Sequence, residues 1–183
     1  EYVAILLDNI FRRERGIILC LNYNQPLLNE APVQMNSLPT MILELGCRDW
    51  EGYVQGLRHP YRRRIKKALA KVEVVKNISS SCTDFTMDHY QQYLQVMERS
   101  KTKLETLKER FFKGLPENFR LHSFYKNEQL LYWHIAFQNS NQYIFLFGGL
   151  DYALRDEFDS YTNNLIEIIK EALRLGCKSI DFG

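Results

Sequence analysis

No apolar run in the 183 residues approaches the ~20 that a membrane-spanning helix needs, and no signal-peptide pattern opens the chain. The four cysteines, Cys20, Cys47, Cys82 and Cys177, have no C-x-x-C spacing, which excludes a sequence-encoded zinc site and a disulfide framework. They read as reduced thiols packed inside a cytoplasmic protein. The four histidines are equally dispersed, so no metal is expected unless the fold assembles its site. An excess of one charge is also missing. The 24 basic residues nearly cancel the 22 acidic ones, and a net charge of +2 excludes little about partners. No internal repeat or low-complexity tract is evident. The chain starts without Met and stops on Ile180-Asp181-Phe182-Gly183, which reads as a piece of a longer protein.

What is present suffices for a sizeable core, because hydrophobic residues make up 45% and aromatics 13%. Tyr2 to Leu7 and Gly16 to Leu21 read as a hairpin, joined through Arg12-Arg13-Glu14-Arg15. Asn22 to Pro39, with Pro26, Pro32 and Pro39, reads as a connection, so residues 1–38 form the remnant of a preceding lobe. From residue 39 onward a second unit begins. Met41 to Leu45 is a strand, and Asp49 caps a short helix to Leu57. Pro60 suits the first turn of a helix over His59 to Val72, with Tyr61, Ile65, Ala68, Leu69 and Val72 on one face. Thr86 is an N-cap, flanked by Phe85 and Tyr90 as a hydrophobic staple. Thr106-x-x-Glu109 predicts a capping box for a helix through Phe112. Arg120 to Tyr125, Leu130 to Phe137 and Tyr143 to Phe147 are strands, with turns short enough for an antiparallel meander. A final amphipathic helix buries Leu165, Ile166, Ile168, Ile169, Ala172 and Leu173 and ends at Gly176, with a strand over Ser179 to Phe182 behind it. The fold class is α/β (α+β), helices covering an antiparallel-rich sheet.

The stretch from Tyr143 to Gly183 carries the most chemistry. An aromatic strand with a glycine break feeds a helix whose N-terminus opens at a sheet edge, which suits a phosphorylated acyl carrier. Phe147-Gly148-Gly149-Leu150-Asp151, Tyr161-x-x-x-Leu165 and Ala172-x-x-x-Gly176-x-x-x-Ile180-Asp181-Phe182-Gly183 follow in order. Upstream stand Trp50-x-x-Tyr53, Tyr61-Arg62-Arg63-Arg64-Ile65-Lys66-Lys67, Leu104-Glu105 and Phe111-Phe112-x-x-Leu115-Pro116. In this order the motifs resemble the GNAT-fold N-acyltransferases of the Fem-like, peptidoglycan-biosynthesis branch, over residues 40–183. The resemblance implies a GNAT-like mixed, mostly antiparallel sheet. It also implies a donor, acyl-CoA such as acetyl-CoA or an aminoacyl-tRNA, bound where two central strands splay. The acceptor would be a small-molecule or peptide amine. Two departures stand against it: the glycine-rich Q/R-x-x-G-x-G/A loop is absent, and the chain ends where that family continues into a further helix, so residues 39–183 read as truncated.

Each candidate has a plainer role beside the functional one. Gly148 and Gly149 would let backbone amides approach a donor, or would bend a strand leaving the sheet. Tyr161, Thr162, Asn163 and Asn164 would offer a helix N-terminus to it, against the repulsion of Asp156, Glu157 and Asp159; otherwise Ser160 or Thr162 is a cap. Asp151 and Asp181 are candidate bases for the amine, or turn residues. His134 is a candidate base or a satisfied core residue. Tyr143 and Tyr161 are candidate proton donors to the leaving group. Arg62 and Arg63 lead a basic helix, running to Lys71, that would meet CoA phosphates, tRNA or an anionic cell-wall precursor, or would remain a solvated face. Three arginines in a first turn oppose the helix dipole, so local stability does not explain them. The same helix gives an alternative: a non-catalytic module gripping a polyanion. Arg120 reads as a surface charge.

Overall fold

The computed structural model describes residues 40–73, 75–101 and 106–183. The expected N-terminal hairpin, the Asn22 to Pro39 connection and Leu104-Glu105 lie outside the described residues. The described strands are β1 (Ile42–Glu44), β2 (Lys76–Ser81), β3 (Arg120–Lys126), β4 (Gln129–Asn139), β5 (Gln142–Leu150) and β6 (Ser179–Asp181). They form one sheet in the order β1-β6-β5-β4-β3-β2. Every neighbouring pair is antiparallel except β5 and β6, which are parallel. The meander expected from the sequence is therefore present as β3-β4-β5. Asn127 and Glu128, both at positive φ (48° and 66°), turn β3 into β4 with the twist that a two-residue hairpin favours. β2 extends the meander by one edge strand. Its sequence, Lys-Asn-Ile-Ser-Ser-Ser, carries no apolar alternation, because backbone pairing to β3 holds it and its outer residues stay wet.

Helices cover both faces. α1 (Trp50–Gly56) starts as expected, the Asp49 carboxylate accepting from the Gly52 N–H at 2.7 Å. α2 (His59–Leu69) carries Pro60 in its first turn and buries Ala68, but Tyr61 does not join the apolar face. It remains half exposed, with the Arg58 guanidinium 5.9 Å above its ring. α3 (Met87–Arg99) starts at Thr86, and Phe85 and Tyr90 pack in one cluster there. α4 (Glu109–Lys113) corrects the expected capping box: Lys108, not Thr106, precedes the first helical residue. The backbone before it is held otherwise, the Leu107 N–H donating to the Tyr93 hydroxyl while Phe112 drops fully into the core. α5 (Arg155–Phe158) is a single turn. α6 (Ser160–Arg174) follows directly, and Gly176 at φ 71° closes it.

α1 and α6 pack on one face over Ala136, Tyr143, Ile168, Ala172, Leu173 and Ile180. α3 and α4 pack on the other, over Phe85, Tyr93, Phe112, Leu121, Trp133 and Ile135. A third cluster around Phe124, Leu131, Tyr132, Leu150 and Phe158 seals one end of the sheet. Each large side chain so buried is worth about 1.5–3 kcal/mol, so these clusters fix which face of every strand turns inward.

Candidate functional site: a strand divergence and a polar groove

The parallel pair β5–β6 is short. Gln142, Tyr143 and Ile144 face Ser179, Ile180 and Asp181, and there the pairing stops. β5 runs on to Leu150, paired on one side to β4. On its other side, β6 stays paired to β1, the Phe182 N–H donating to the Met41 carbonyl at 2.9 Å. Phe145 and Phe182 flank the divergence with ring centroids 6.4 Å apart. Opposite, β5 carries a bulge: Ile135 faces Phe147 and Ala136 faces Phe145, so Leu146 is the extra residue. α6 must run back along β5 to deliver the chain into a parallel β6. Its N-terminus therefore sits at the end where the two strands part. Among the described residues, β5 from Phe145 onward has no strand on its β6 side.

The candidate residues do not all gather there. Tyr161, in the first turn of α6, is 62% exposed. Thr162 donates its hydroxyl to the Asp159 carboxylate at 2.8 Å. Asn163 is buried, its amide donating to the carbonyls of Phe158 (2.7 Å) and Ala68 (3.0 Å). Asn164 is buried too and bonds to His134. The polar run thus does not face outward as a set, because these asparagines hold α6 to α2 and to the sheet. Neither Ser160 nor Thr162 caps the helix. Asp159, in the left-handed conformation (φ 46°, ψ 45°), occupies that place, and Ser160 is fully buried. A Cβ at Gly149 would collide with the indole of Trp133, and one at Gly148 would lie 3.1 Å from the Trp133 carbonyl. Packing alone therefore requires a glycine at Gly149. Asp151 accepts the Ala153 N–H at 2.8 Å, and Asp181 accepts the Gly183 N–H at 2.9 Å, so both make local turns. Arg62 and Arg63 are exposed on α2, and neither is ion-paired to a carboxylate among the described residues.

His134 belongs to a second place. It lies fully buried on β4, stacked on His122 of β3 at 4.7 Å, and both line a groove beside α6. Asn164 donates through Nδ2 to the Trp133 carbonyl, so its Oδ1 faces the ring and accepts from His134 Nδ1–H at 2.7 Å. Burial, then the neighbouring His122, push the His134 pKa down to about 3 against the pull of Asn164, and the ring is neutral. Its Nε2 has no partner within the protein. Burial likewise pushes His122 down and the phenol of Tyr143 up; the Tyr143 hydroxyl lies 3.5 Å from His122 Nε2. Each histidine lies on a strand whose apolar run is visible in the chain, but its neighbour is not. Their meeting depends on the β3–β4 register, which places His122 opposite His134. Arg120, taken for a surface charge, shares that strand face.

Among the described residues no group of three or more His, Cys, Asp or Glu is placed to hold a metal ion, and no helix is long and apolar enough to cross a membrane. No family profile and no curated protein sequence matches the chain. Solved structures do. FemX superposes with a TM-score of 0.60 at 12% identity, over 79% of this chain and 52% of FemX. The C-terminal DUF2156 domain of a protein assigned as a lysylphosphatidylglycerol synthetase, from Agrobacterium fabrum, gives 0.55 at 7% identity, over 79% of this chain and 45% of that one. An aminoglycoside acetyltransferase from an uncultured soil metagenomic sample gives 0.44 at 10% identity, over 58% of this chain and 75% of that one. The chain thus spans about half the length of the first two. Residues Thr40 to Gly183 share their fold with FemX and with the DUF2156 domain.

Proposed function

We propose that this domain transfers an acyl or aminoacyl group from acyl-CoA or aminoacyl-tRNA to an amine. The observation that carries the reading is the divergence of β5 from β6 after three residue pairs, with a bulge at Leu146 beside it and the α6 N-terminus above. An extended donor laid in that gap would meet the β5 backbone on its unpaired side. Backbone N–H groups there would polarise the acyl carbonyl as charge develops on its oxygen. The amine nitrogen attacks the acyl carbon, a C–N bond forms, and the C–S bond of a thioester or the C–O bond of an ester breaks. Asp181, at the end of β6, or Asp151, just past β5, would take the amine proton. Tyr161 would return one to the leaving thiolate or hydroxyl. We assign His134 no part in this step, since it is fully buried against His122. The fold shared with FemX and with a lysylphosphatidylglycerol synthetase domain supports the transferase reading.

The test is single-turnover amide formation with labelled acetyl-CoA and with labelled aminoacyl-tRNA, beside thermal shifts for each. One donor should raise Tm and yield an amide product. Tyr161→Phe should slow that product at unchanged Tm, since the side chain is exposed. If neither donor is consumed, the transferase reading falls.

One observation favours a second reading. Arg62, Arg63 and Arg64 follow the first turn of α2, all exposed and with no carboxylate paired to them among the described residues. A non-catalytic module gripping a polyanion would use them. Its signature is tRNA binding that weakens steeply with salt, loses most of its slope in the triple Arg→Gln variant, and is accompanied by no acyl turnover.

A further inference from the structure

α6 packs on β4, β5 and β6, and beside it a groove runs over β3 towards the β2 edge. The groove has two parts. His134 lies at the inner one, but its Nε2 is sealed from solvent and meets no ligand there. The outer part is a separate cavity of about 370 Å³, within the ~300–1,000 Å³ of small-molecule sites. Its floor is made by His122, Ala136 and Tyr143, all buried. Ser79 and Arg120 line it from the strands, and Glu171, Arg174 and Leu175 from α6. Strand register assembles the floor and the first wall. Ser79 sits opposite His122 and Arg120 opposite Ala136, while Arg120 and His122 are two residues apart on one face of β3, ~7 Å between backbones.

The charge left over in this cavity and its buried ring both donate hydrogen bonds. Glu171 is its one carboxylate, and Arg174 engages both oxygens at 2.7 Å. Arg120 gives an N–H to the Ser79 carbonyl at 3.3 Å and has no carboxylate partner among the described residues. The unmatched charge is therefore positive. Burial, more than the charged groups around it, holds the His122 pKa below the usual histidine value, so the ring is neutral and carries a single proton. The Tyr143 hydroxyl has His122 Nε2 as its only partner among the described residues, at 3.5 Å. A phenol is a stronger acid than a neutral imidazole, so Nε2 accepts and the ring proton sits on Nδ1. That Nδ1 has no partner among the described residues and, unlike His134 Nε2, is not sealed from solvent. Arg120 and His122 thus offer N–H groups from neighbouring positions on one strand face, a pair that the two oxygens of a carboxylate can bridge. Ala136, Phe137 and Leu175 give the rest of the cavity an apolar lining.

We propose that this outer cavity binds a small carboxylate with an apolar body, its oxygens accepting from the Arg120 guanidinium and His122 Nδ1–H while Ala136, Phe137 and Leu175 take the body. The site does not rest on the transferase reading. It binds and orients; no bond is made or broken in it.

The test is a titration of the 183-residue chain with phenylacetate, followed by the ring ¹⁵N resonances of His122. In the free chain the ring proton should be found on Nδ1, and a proton on Nε2 overturns the donor assignment. Phenylacetate should move the Nδ1 resonance saturably. Phenylacetamide, which keeps the body and loses the charge, should bind at least about ten-fold more weakly, the measure of a hydrogen bond lost to a charged group. Acetate, which keeps the charge and loses the body, should also bind more weakly. Arg120→Gln, a change at an exposed residue, should weaken phenylacetate binding by a similar factor at unchanged Tm. His122→Phe, checked for folding by circular dichroism, should abolish it. The site is refuted by no saturable shift with phenylacetate, by phenylacetamide or acetate binding as tightly, or by an unchanged Kd in Arg120→Gln. In those cases Arg120 is a solvated charge and water alone serves His122.

Discussion

Gly149→Ala is expected to be among the most costly single-methyl additions in the sheet. The new Cβ would lie 2.7 Å from Trp133 Cε2 and 3.0 Å from Gln92 Cβ, and nearer still to Trp133 Nε1. Neither neighbour can retreat easily. Trp133 is fully buried, edge-on to Phe85 at 5.1 Å and to Phe112 at 6.3 Å, and Gln92 is fixed by its amide bond to the Leu130 carbonyl at 2.8 Å. Overpacking a tight core costs about 1–3 kcal/mol. Each aromatic pair disturbed adds about 0.5–1.5 kcal/mol. A loss near 3 kcal/mol follows, and at about 2–4 °C per kcal/mol for a chain of this length it lowers Tm by about 6–12 °C. Gly148→Ala is the internal control. Its Cβ would meet the Trp133 carbonyl at 3.1 Å and the Phe145 ring at 3.2 Å, and that half-exposed ring can swing, so about 1 kcal/mol is expected. Urea unfolding of both variants measures the difference. Trp133→Phe should relieve part of the clash, giving a coupling of about 1 kcal/mol or more in the double-mutant cycle. Gly149→Ala costing less than about 0.5 kcal/mol, or less than Gly148→Ala, would refute the packing account and return the glycine to a ligand-binding role.

His89 is buried, accepts the Thr86 N–H at 3.1 Å and meets the Ser123 hydroxyl at 2.9 Å, and burial lowers its pKa to about 4 against a small opposing pull from Asp88. A depressed histidine gives stability that is full above the unfolded pKa of ~6.5 and falls as pH drops towards 4, so about 2 kcal/mol should vanish between pH 7 and 5. His134 acts in the same direction, and equal urea midpoints at the two pH values would contradict both. Asn164→Leu strands the His134 Nδ1–H and should cost about 2 kcal/mol by chemical denaturation, together with a changed ring tautomer in NMR. Glu128→Gly, at φ 66°, relieves left-handed backbone strain and should raise stability by about 0.5–1 kcal/mol; a destabilised variant would contradict the turn geometry.

The parts of the fold that were legible from the sequence are those fixed by near neighbours. Asp49 with Gly52, Thr86 at the start of its helix, and Gly176 after an apolar helix each act within one turn of chain. β3, β4 and β5 announced themselves through apolar runs closed by polar turns. β2 did not, because a serine-rich edge strand has no pattern of its own and is defined by its partner. The Leu146 bulge and the His122–His134 pair were hidden for a related reason: register belongs to two strands at once. Asn163 and Asn164 were misplaced by polarity. Their spacing carried the right signal, since with Ser160, Ile168, Ala172 and other inward residues they fall on the helix face that is buried.

β1 and β6 join the first and last described parts of the domain. Leu45 donates to Lys178, Phe182 to Met41 and Met41 to Gly183, so residues some 140 positions apart clasp each other backbone to backbone. Closing so long a loop is entropically slow and comes late, after the β2–β5 meander has formed from local hairpins. The wall that bounds the proposed donor gap is thus the last piece of the sheet to arrive and, by the same logic, the first to leave. Hydrogen exchange should find the amides of Ile180 and Phe182 protected less than those of Trp133 and Ile135. Any occupant of the gap would act as a latch on both ends of the domain at once.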